Sequence, residues 1–223
     1  NYNLYKKIYS GPQGLVMSIS HWLLESRKVK NYNSDVLDIG SGEILHKSWM
    51  KDVGNYTISD SSQIISKKKV FSLKNIGVKV HFFDKDPNYK TLKNSSFSRV
   101  VLHHSLEHIP NPEIFIKNIL PLIKDDGILS ISLPCDPGFL WRFGQIILRK
   151  KVKKNFGWNK LEYDLIMSRE HINSAHNLIK IINYYFSDVK WKFFPFPFLK
   201  IIEFNLITYI HIKKNNFRNL DNL

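Results

Sequence analysis

Three short stretches of this chain gather the residue types that chemistry needs. Residues 36–43 read Val-Leu-Asp-Ile-Gly-Ser-Gly-Glu, an apolar run entering a turn built on Gly40 and Gly42 with Asp38 and Glu43 on either side. Lacking Cβ atoms, the two glycines let the backbone bend sharply and approach a ligand, with their amides and the next helix's N-terminus facing it. Residues 103–108 read His-His-Ser-Leu-Glu-His, and imidazoles suit proton transfer near neutral pH. Residues 169–173, Arg-Glu-His-Ile-Asn, form a third dense polar cluster.

What the glycine turn excludes narrows its ligand. A dinucleotide fingerprint needs a third glycine where this chain has Leu45, and a phosphate-cradling loop needs Gly-Lys-Ser/Thr where it has Gly42-Glu43-Ile44. An acid therefore replaces the cation a pyrophosphate requires. Acids flanking the glycines suit a phosphate-free ligand with a positive centre, and S-adenosylmethionine, with its sulfonium, ammonium and ribose hydroxyls, fits that description.

The elements that must position these residues alternate strand and helix through residue 134, which predicts an open α/β sheet. A strand over Asn55–Ser59 ends at Asp60, 22 positions after Asp38, where doubly wound folds place an acid for ribose hydroxyls. A third strand, Val78–Phe83, ends at Asp84, and a fourth, Arg99–Leu102, runs into the histidine cluster. Asn111-Pro112 predicts a helix start, with Asn111 as cap and Pro112 at the first helical position. Phe115, Ile119 and Leu122 give that helix an apolar face, Pro121 should kink or loosen its last turn, and Asp126-Gly127 should stop it. A fifth strand then runs over Ile128–Leu133.

With those motifs in order, residues 36–134 resemble the class I S-adenosylmethionine-dependent methyltransferases of the type 11/12 branch. The matching pieces are VLDIGSGE, the acid at Asp60, HFFDKDP, FSRVVLHHSLEHIPNP and IKDDGILSISLP. The resemblance implies a doubly wound, Rossmann-like α/β methyltransferase fold with a seven-stranded, mostly parallel sheet, helices on both faces and an antiparallel final strand. It implies S-adenosyl-L-methionine as cofactor, with Asp38, Gly40, Ser41 and Gly42 at its methionine end, Asp60 and neighbouring Ser61 at the ribose, Asp84 near the adenine, and Leu102 and His103 beneath the sulfonium. Ile44 departs from the family, which usually has a small residue there. The tail, LPCDPGFLWRFG followed by a basic stretch and REHIN, resembles a subset linked to bacterial surface-glycan assembly.

Composition agrees with one domain. At 223 residues and 43% hydrophobic the chain can bury an ample core without splitting. We expect residues 1–34 to form N-terminal cover helices, 35–134 the cofactor-binding core, 135–175 an acceptor-binding insertion or lid, and 176–223 a C-terminal helix and final strands. One cysteine, Cys135, rules out an internal disulfide and a clustered-cysteine zinc site and points to a reducing cytoplasm. The longest apolar region, Phe193–Ile210, carries Pro195, Pro197, Lys200, Glu203 and Asn205, so two late strands are expected rather than a membrane span. The opening residues do not read as a signal peptide.

The net charge of +14, from 33 basic and 19 acidic side chains, implies either an anionic partner or solubility alone. Residues 148–155 hold five cations in eight positions before Phe156 and Trp158, and read as a mobile lid or recognition loop over a phosphorylated or nucleotide-linked acceptor. RNA is the competing use of such a stretch. No base-nitrogen methylation tetrad follows the fourth strand, where the chain reads His-His-Ser-Leu.

Methyl transfer from a sulfonium is an in-line displacement needing no protein nucleophile, and a general base matters only for an acceptor such as a hydroxyl. His104 is the first candidate base; its alternative is to brace the turn. Glu107 and His108 read as organising the loop. The resemblance places Arg169 and His171 facing the acceptor, with Arg169 or Arg142 gripping a phosphate or carboxylate, while Asn173 or Ser174 caps the following helix. Asp136 reads as stabilising its loop. His21, His46, His81 and His211 read as structural or exposed, with no metal-site spacing, and Tyr5 or Tyr9 as a contact to the cofactor's methionine moiety. The expected reaction is O-methylation of a small polar acceptor, sharpest as a surface-glycan precursor such as a nucleotide-linked sugar or phosphoramidate. The alternatives are RNA methylation and a cofactor-binding partner subunit without chemistry.

Overall fold

Residues Phe97–His103, of which the sequence signalled Arg99–Leu102, form a strand buried along its whole length. In the computed structural model, which describes residues 12–25, 27–42 and 46–218, that strand is β4, at the centre of a seven-stranded sheet. The others are β1 (Asp35–Ile39), β2 (Asn55–Asp60), β3 (Val78–Phe82), β5 (Ile123–Pro134), β6 (Lys192–Phe194) and β7 (Ile207–Lys213). Their order is β3-β2-β1-β4-β5-β7-β6. β1 to β5 pair in parallel, and β7 runs against both β5 and β6. This is the doubly wound, mostly parallel sheet expected from the sequence, including the reversed late strand.

The strands alternate between two cores. Leu37, Val100, Leu102, Leu129 and Ile131 point to one face, under α3 (Pro112–Ile119) and α6 (Ala175–Tyr185), which contribute Ile116, Ile119, Leu178 and Ile182. Val36, Tyr56, Ile58 and Val101 point to the other, meeting Leu24 of α1 (Pro12–Leu24) and Leu73 of α2 (Lys67–Asn75). After β5 come α4 (Phe139–Phe156) and α5 (Lys160–Glu170).

One buried cation fixes α1 on the sheet. Arg99 of β4 is fully buried, and its guanidinium donates to Ser130 Oγ at 2.9 Å, Asn33 Oδ1 at 3.0 Å and the Leu24 carbonyl at 3.1 Å. It also pairs with Glu25 Oε1 at 2.7 Å. The end of α1 is thereby tied to the middle of the sheet, which sets where Ser20 and His21 fall.

Four expectations are corrected. Among the described residues no α-helix joins β1 to β2; the connection carries a 3₁₀ turn, His46–Trp49. Ile44 and Tyr9 lie outside the described residues, as does Tyr5. α3 ends at Ile119 and passes through a 3₁₀ turn, Leu120–Leu122, because Pro121 has no N–H to continue the ladder. β5 therefore begins at Ile123, and Asp125, Asp126 and Gly127 belong to the strand rather than to a stop signal. Asn111 occupies the cap position of α3 without a side-chain capping bond. Finally, the basic stretch 148–155 is no loop: it is the second half of α4.

Candidate active site

β1 and β4 lie side by side, Ile39 paired with Leu102, and the chain leaves them in opposite directions, to β2 on one side and β5 on the other. The carboxyl ends of two such strands diverge, so a crevice must open between them. A cleft of about 840 Å³ lies there, lined among others by Asp38, Gly40, Ser41, Gly42, Asp60, His103 and His104. That volume falls within the ~300–1,000 Å³ of small-molecule sites.

The turn after β1 uses its two glycines differently. Gly40 has φ +75°, its amide donates to the Ser59 carbonyl at 2.8 Å, and a Cβ on it would lie 2.5 Å from Ser105 Cβ. Gly42 has φ +55° and open space where a Cβ would point. Its amide donates to Asp60 Oδ2 at 2.6 Å, while the Ser61 amide donates to Asp60 Oδ1 at 2.7 Å. Asp60 thus joins the end of β2 to the glycine turn. Burial pushes its carboxyl above the usual range, and the charge of Asp84 adds to that. Asp38 is fully buried and its carboxyl is also pushed up by burial, opposed by His46 and by the hydroxyl of Tyr56, which donates to Oδ2 at 2.6 Å. Ser41 Oγ and Ser105 Oγ are buried at this wall without a hydrogen-bond partner.

A bank of rings forms the second wall. His21, from α1, stacks between Trp49 and His103 with centroid separations of 4.1 and 3.6 Å. Its Nδ1 lies 2.7 Å from His46 Nδ1, and His46 Nε2 lies 2.7 Å from Glu25 Oε1. Burial opposes ionisation of Glu25, yet His46 and Arg99 together hold its carboxyl below the usual range. An ionised carboxylate only accepts, so Nε2 of His46 carries a proton. Ser20 Oγ sits 2.9 Å from His103 Nε2, 2.6 Å from His104 Nε2 and 3.0 Å from Ser132 Oγ, using its one donor and two acceptor positions in full. Burial, with neighbouring imidazoles, holds His21 down to about 2 and His104 to about 3, and drives His103 well below its ordinary value. These three rings are uncharged at pH 7. Among the described residues no three His, Cys, Asp or Glu side chains are arranged to hold a metal ion.

Behind His104 lies Glu107, 2% exposed, whose carboxyl burial pushes up to about 7. Its Oε1 stands 3.7 Å from His104 Nδ1 and 3.9 Å from His108 Nε2, and its Oε2 has no partner. His104 itself has φ +49°, a left-handed conformation uncommon for a residue with a Cβ. The sequence reading of Glu107 as an organiser of the loop holds for its backbone, whose carbonyl accepts from the amides of Ile172 and Asn173.

Several expected residues do not line the cleft. Leu102 is fully buried in the core below the cleft. Ser61 contributes its amide to Asp60 and its hydroxyl to the Gln63 amide at 3.2 Å, and does not line the space. Asp84 is committed to Ser62, accepting from its amide at 2.8 Å and its hydroxyl at 2.5 Å, which hold its carboxyl below the usual range. The preceding Phe83 lines the cleft in its place. Arg169 and Arg142 are exposed and away from the cleft, whereas Glu170 lines it. His171 Nδ1 pairs with Asp136 Oδ2 at 2.8 Å, and its ring stacks on Trp141 at 5.7 Å and meets His108, a lining residue, edge-on at 5.2 Å. Ser174 caps α6, accepting from the Asn177 amide at 3.3 Å, while Asn173 donates to the Ile109 carbonyl at 2.6 Å. His21, His46 and Tyr89 line the cleft, with Ser20 buried behind them, and local spacing signalled none of the four.

A family model described as a methyltransferase domain matches residues 16–178. No curated protein matches the chain. Among solved structures it is similar to an S-adenosylmethionine-dependent methyltransferase of Archaeoglobus fulgidus, with TM-score 0.61 and 17% identity over 95% of this chain and 99% of that one. A similar S-adenosylmethionine-dependent methyltransferase of Thermotoga maritima gives TM-score 0.55 and 17% identity over 96% and 95% of the two chains. The Burkholderia thailandensis 1,6-didemethyltoxoflavin N1-methyltransferase, crystallised with its acceptor and S-adenosylhomocysteine, gives TM-score 0.55 and 14% identity over 88% and 77%.

Proposed function

The chain belongs to the methyltransferase-domain family and is an S-adenosylmethionine-dependent methyltransferase, and from that premise we propose that it methylates a hydroxyl oxygen of a small polar acceptor held in the cleft beside His104. The residues present fit the cofactor: two buried serine hydroxyls at the wall lack partners, Gly42 leaves open space, and Asp38 and Asp60 are carboxylates whose burial no lysine or arginine offsets. S-adenosylmethionine supplies an electrophilic methyl group when bound. Asp60 and the glycine turn would hold its ribose and methionine ends, and the uncharged rings of His21, His103 and His104 would exclude water from them.

The observation that carries the reading is the pair His104–Glu107. A neutral imidazole lines the cleft with a carboxyl that ionises near pH 7 behind it, 3.7 Å from Nδ1. Alone, His104 is too weak a base. Once Glu107 is ionised, its charge beside Nδ1 stabilises the imidazolium that forms when His104 Nε2 exchanges its bond to Ser20 Oγ for the acceptor hydroxyl and takes its proton, so imidazole and carboxylate act together. The acceptor's finer identity rests on the tail motifs: Asp136, Trp141 and His171 meet one another beside His108. That tail resembles a subset linked to bacterial surface-glycan assembly, and a nucleotide-linked sugar or phosphoramidate is the substrate class we assign.

The test is to supply methyl-labelled cofactor with panels of sugar nucleotides, glycan phosphoramidates and RNA, and to identify the labelled product by mass spectrometry. O-methylated sugar, with a rate that rises with pH through about 7 and falls ~10²–10⁴-fold in His104→Ala, is the expected result. Label in RNA, or cofactor binding with no turnover on any acceptor, would overturn the assignment.

A further inference from the structure

Away from the cleft, two segments are built inside out. Between β6 and β7, the side chain of the fully buried Asn205 gathers the backbone of its own loop, accepting from the Phe196 amide at 2.9 Å and donating to the Leu199 and Ile201 carbonyls at 2.6 and 2.8 Å. With the polar backbone turned inward, the apolar side chains turn out: Phe196, Leu199, Ile201 and Phe204 are exposed, and Phe198 is 93% exposed. The same inversion occurs on α4, where Gln145 faces inward and accepts from the Tyr163 hydroxyl while Phe139, Phe143, Ile146 and Ile147 face solvent. The two segments adjoin, the rings of Phe139 and Phe204 being 6.5 Å apart. Further along the outward side of α4, Lys150, Lys153 and Lys154 follow the apolar turns.

An exposed apolar surface this concentrated marks a contact with another phase or molecule. We propose that it docks on an anionic lipid bilayer, with the phenylalanines and aliphatic side chains entering the headgroup boundary and the lysines of α4 meeting the lipid phosphates. Phenylalanine and leucine beside lysine on one exposed face is the composition of interfacial binding segments. Charge argues against a second copy of the chain, since a two-fold contact through this face brings each lysine row toward its equivalent. Nucleic acid would use the lysines but leave Ile146, Ile147, Leu199 and Ile201 without a role. Glu203 is the one carboxylate within residues 196–204. No helix among the described residues is long and apolar enough to cross a membrane, so the contact is peripheral. The loop lies where Ile207 pairs with Pro134, at the carboxyl end of β5, so docking presents the cleft's edge of the sheet to the lipid.

Co-sedimentation of the full chain with vesicles of phosphatidylcholine alone, and of phosphatidylcholine mixed with phosphatidylglycerol, tests this without reference to catalysis. Binding to the mixed vesicles should weaken with salt. Phe198→Ser with Leu199→Ser, both in exposed positions the fold does not need, should lose roughly tenfold or more on them. Lys153→Ser with Lys154→Ser should lose roughly 25-fold on mixed vesicles and change nothing on neutral ones. Absence of vesicle binding, binding that survives the Phe198/Leu199 pair, a dimer that Phe198→Ser dissociates, or retention on RNA in place of vesicles would each overturn the proposal.

Discussion

Replacing Glu107 by glutamine isolates what burial does to one carboxyl. The group is 2% exposed and its Oε2 lacks a partner, and burial raises its pKa from 4.5 to about 7. A carboxyl whose folded pKa lies above its unfolded value favours the fold only while protonated. That stability is complete below pH 4.5 and is lost as pH climbs through about 7. The displacement, about 2.5 pH units at 1.36 kcal/mol each, amounts to about 3 kcal/mol. Glutamine keeps the shape of the protonated acid and does not titrate. Glu107→Gln should therefore match the parent near pH 4.5 and exceed it by about 3 kcal/mol at pH 9, which corresponds to a Tm higher by about 6–12 °C for a chain of this size. Urea unfolding and thermal melts of both proteins, taken across that range, give the difference directly. A stability difference that stays flat with pH, or grows toward acid, would refute the reasoning, since only a titrating, buried Glu107 makes it rise with base.

Two further sets of substitutions probe how the site is positioned. Arg99→Met should cost about 3–5 kcal/mol in urea unfolding because it leaves Glu25 buried without its cation. Adding Glu25→Gln should recover part of that, and full additivity of the two would contradict the pairing. In the glycine turn, Gly40→Ala should destabilise far more than Gly42→Ala, because the new Cβ meets Ser105 Cβ at 2.5 Å in the first case and open space in the second. The second should cost only the left-handed backbone penalty of roughly 1–2 kcal/mol. Thermal melts rank the two, and Ser105→Gly should rescue Gly40→Ala selectively.

Local signals carried the sheet and the turn. The alternation of Leu37 and Ile39 with Val36, the acid at Asp60, and the apolar run of β4 each state their structure within a few residues. The site's other half depends on tertiary docking. Ser20 meets His103 and His104 across 83 and 84 positions, and His21 meets His46 across 25, only because Arg99 ties the end of α1 to the sheet. No periodicity in α1 announces that docking, so His21 and His46 read as ordinary structural histidines. The basic stretch misled for a related reason. Five cations in eight positions suggest a solvated loop, but Asn159 and Glu162 form a capping box that starts α5, Gly157 in left-handed conformation ends α4, and Arg149 pairs with Asp164 at 2.5 Å. Helix propensity and capping outweighed charge repulsion there.

The charge of the cleft closes the argument about its ligand. The chain as a whole carries +14, yet at this wall the histidines His21, His103 and His104 are held neutral by burial while Asp38 and Asp60 stand with their carboxyls pushed up. Among the described residues that line the cleft, Lys69 is the one Lys or Arg, against the acids Asp38, Asp60 and Glu170. A phosphate-bearing cofactor placed here would meet acids and uncharged rings. A sulfonium with an ammonium group meets carboxylates whose cost of burial it offsets, and its binding should draw both pKa values down again. The exclusion of pyrophosphate made from Glu43 and Leu45 in the sequence and the electrostatics of Asp38 and Asp60 in the fold thus point to a cation by independent routes.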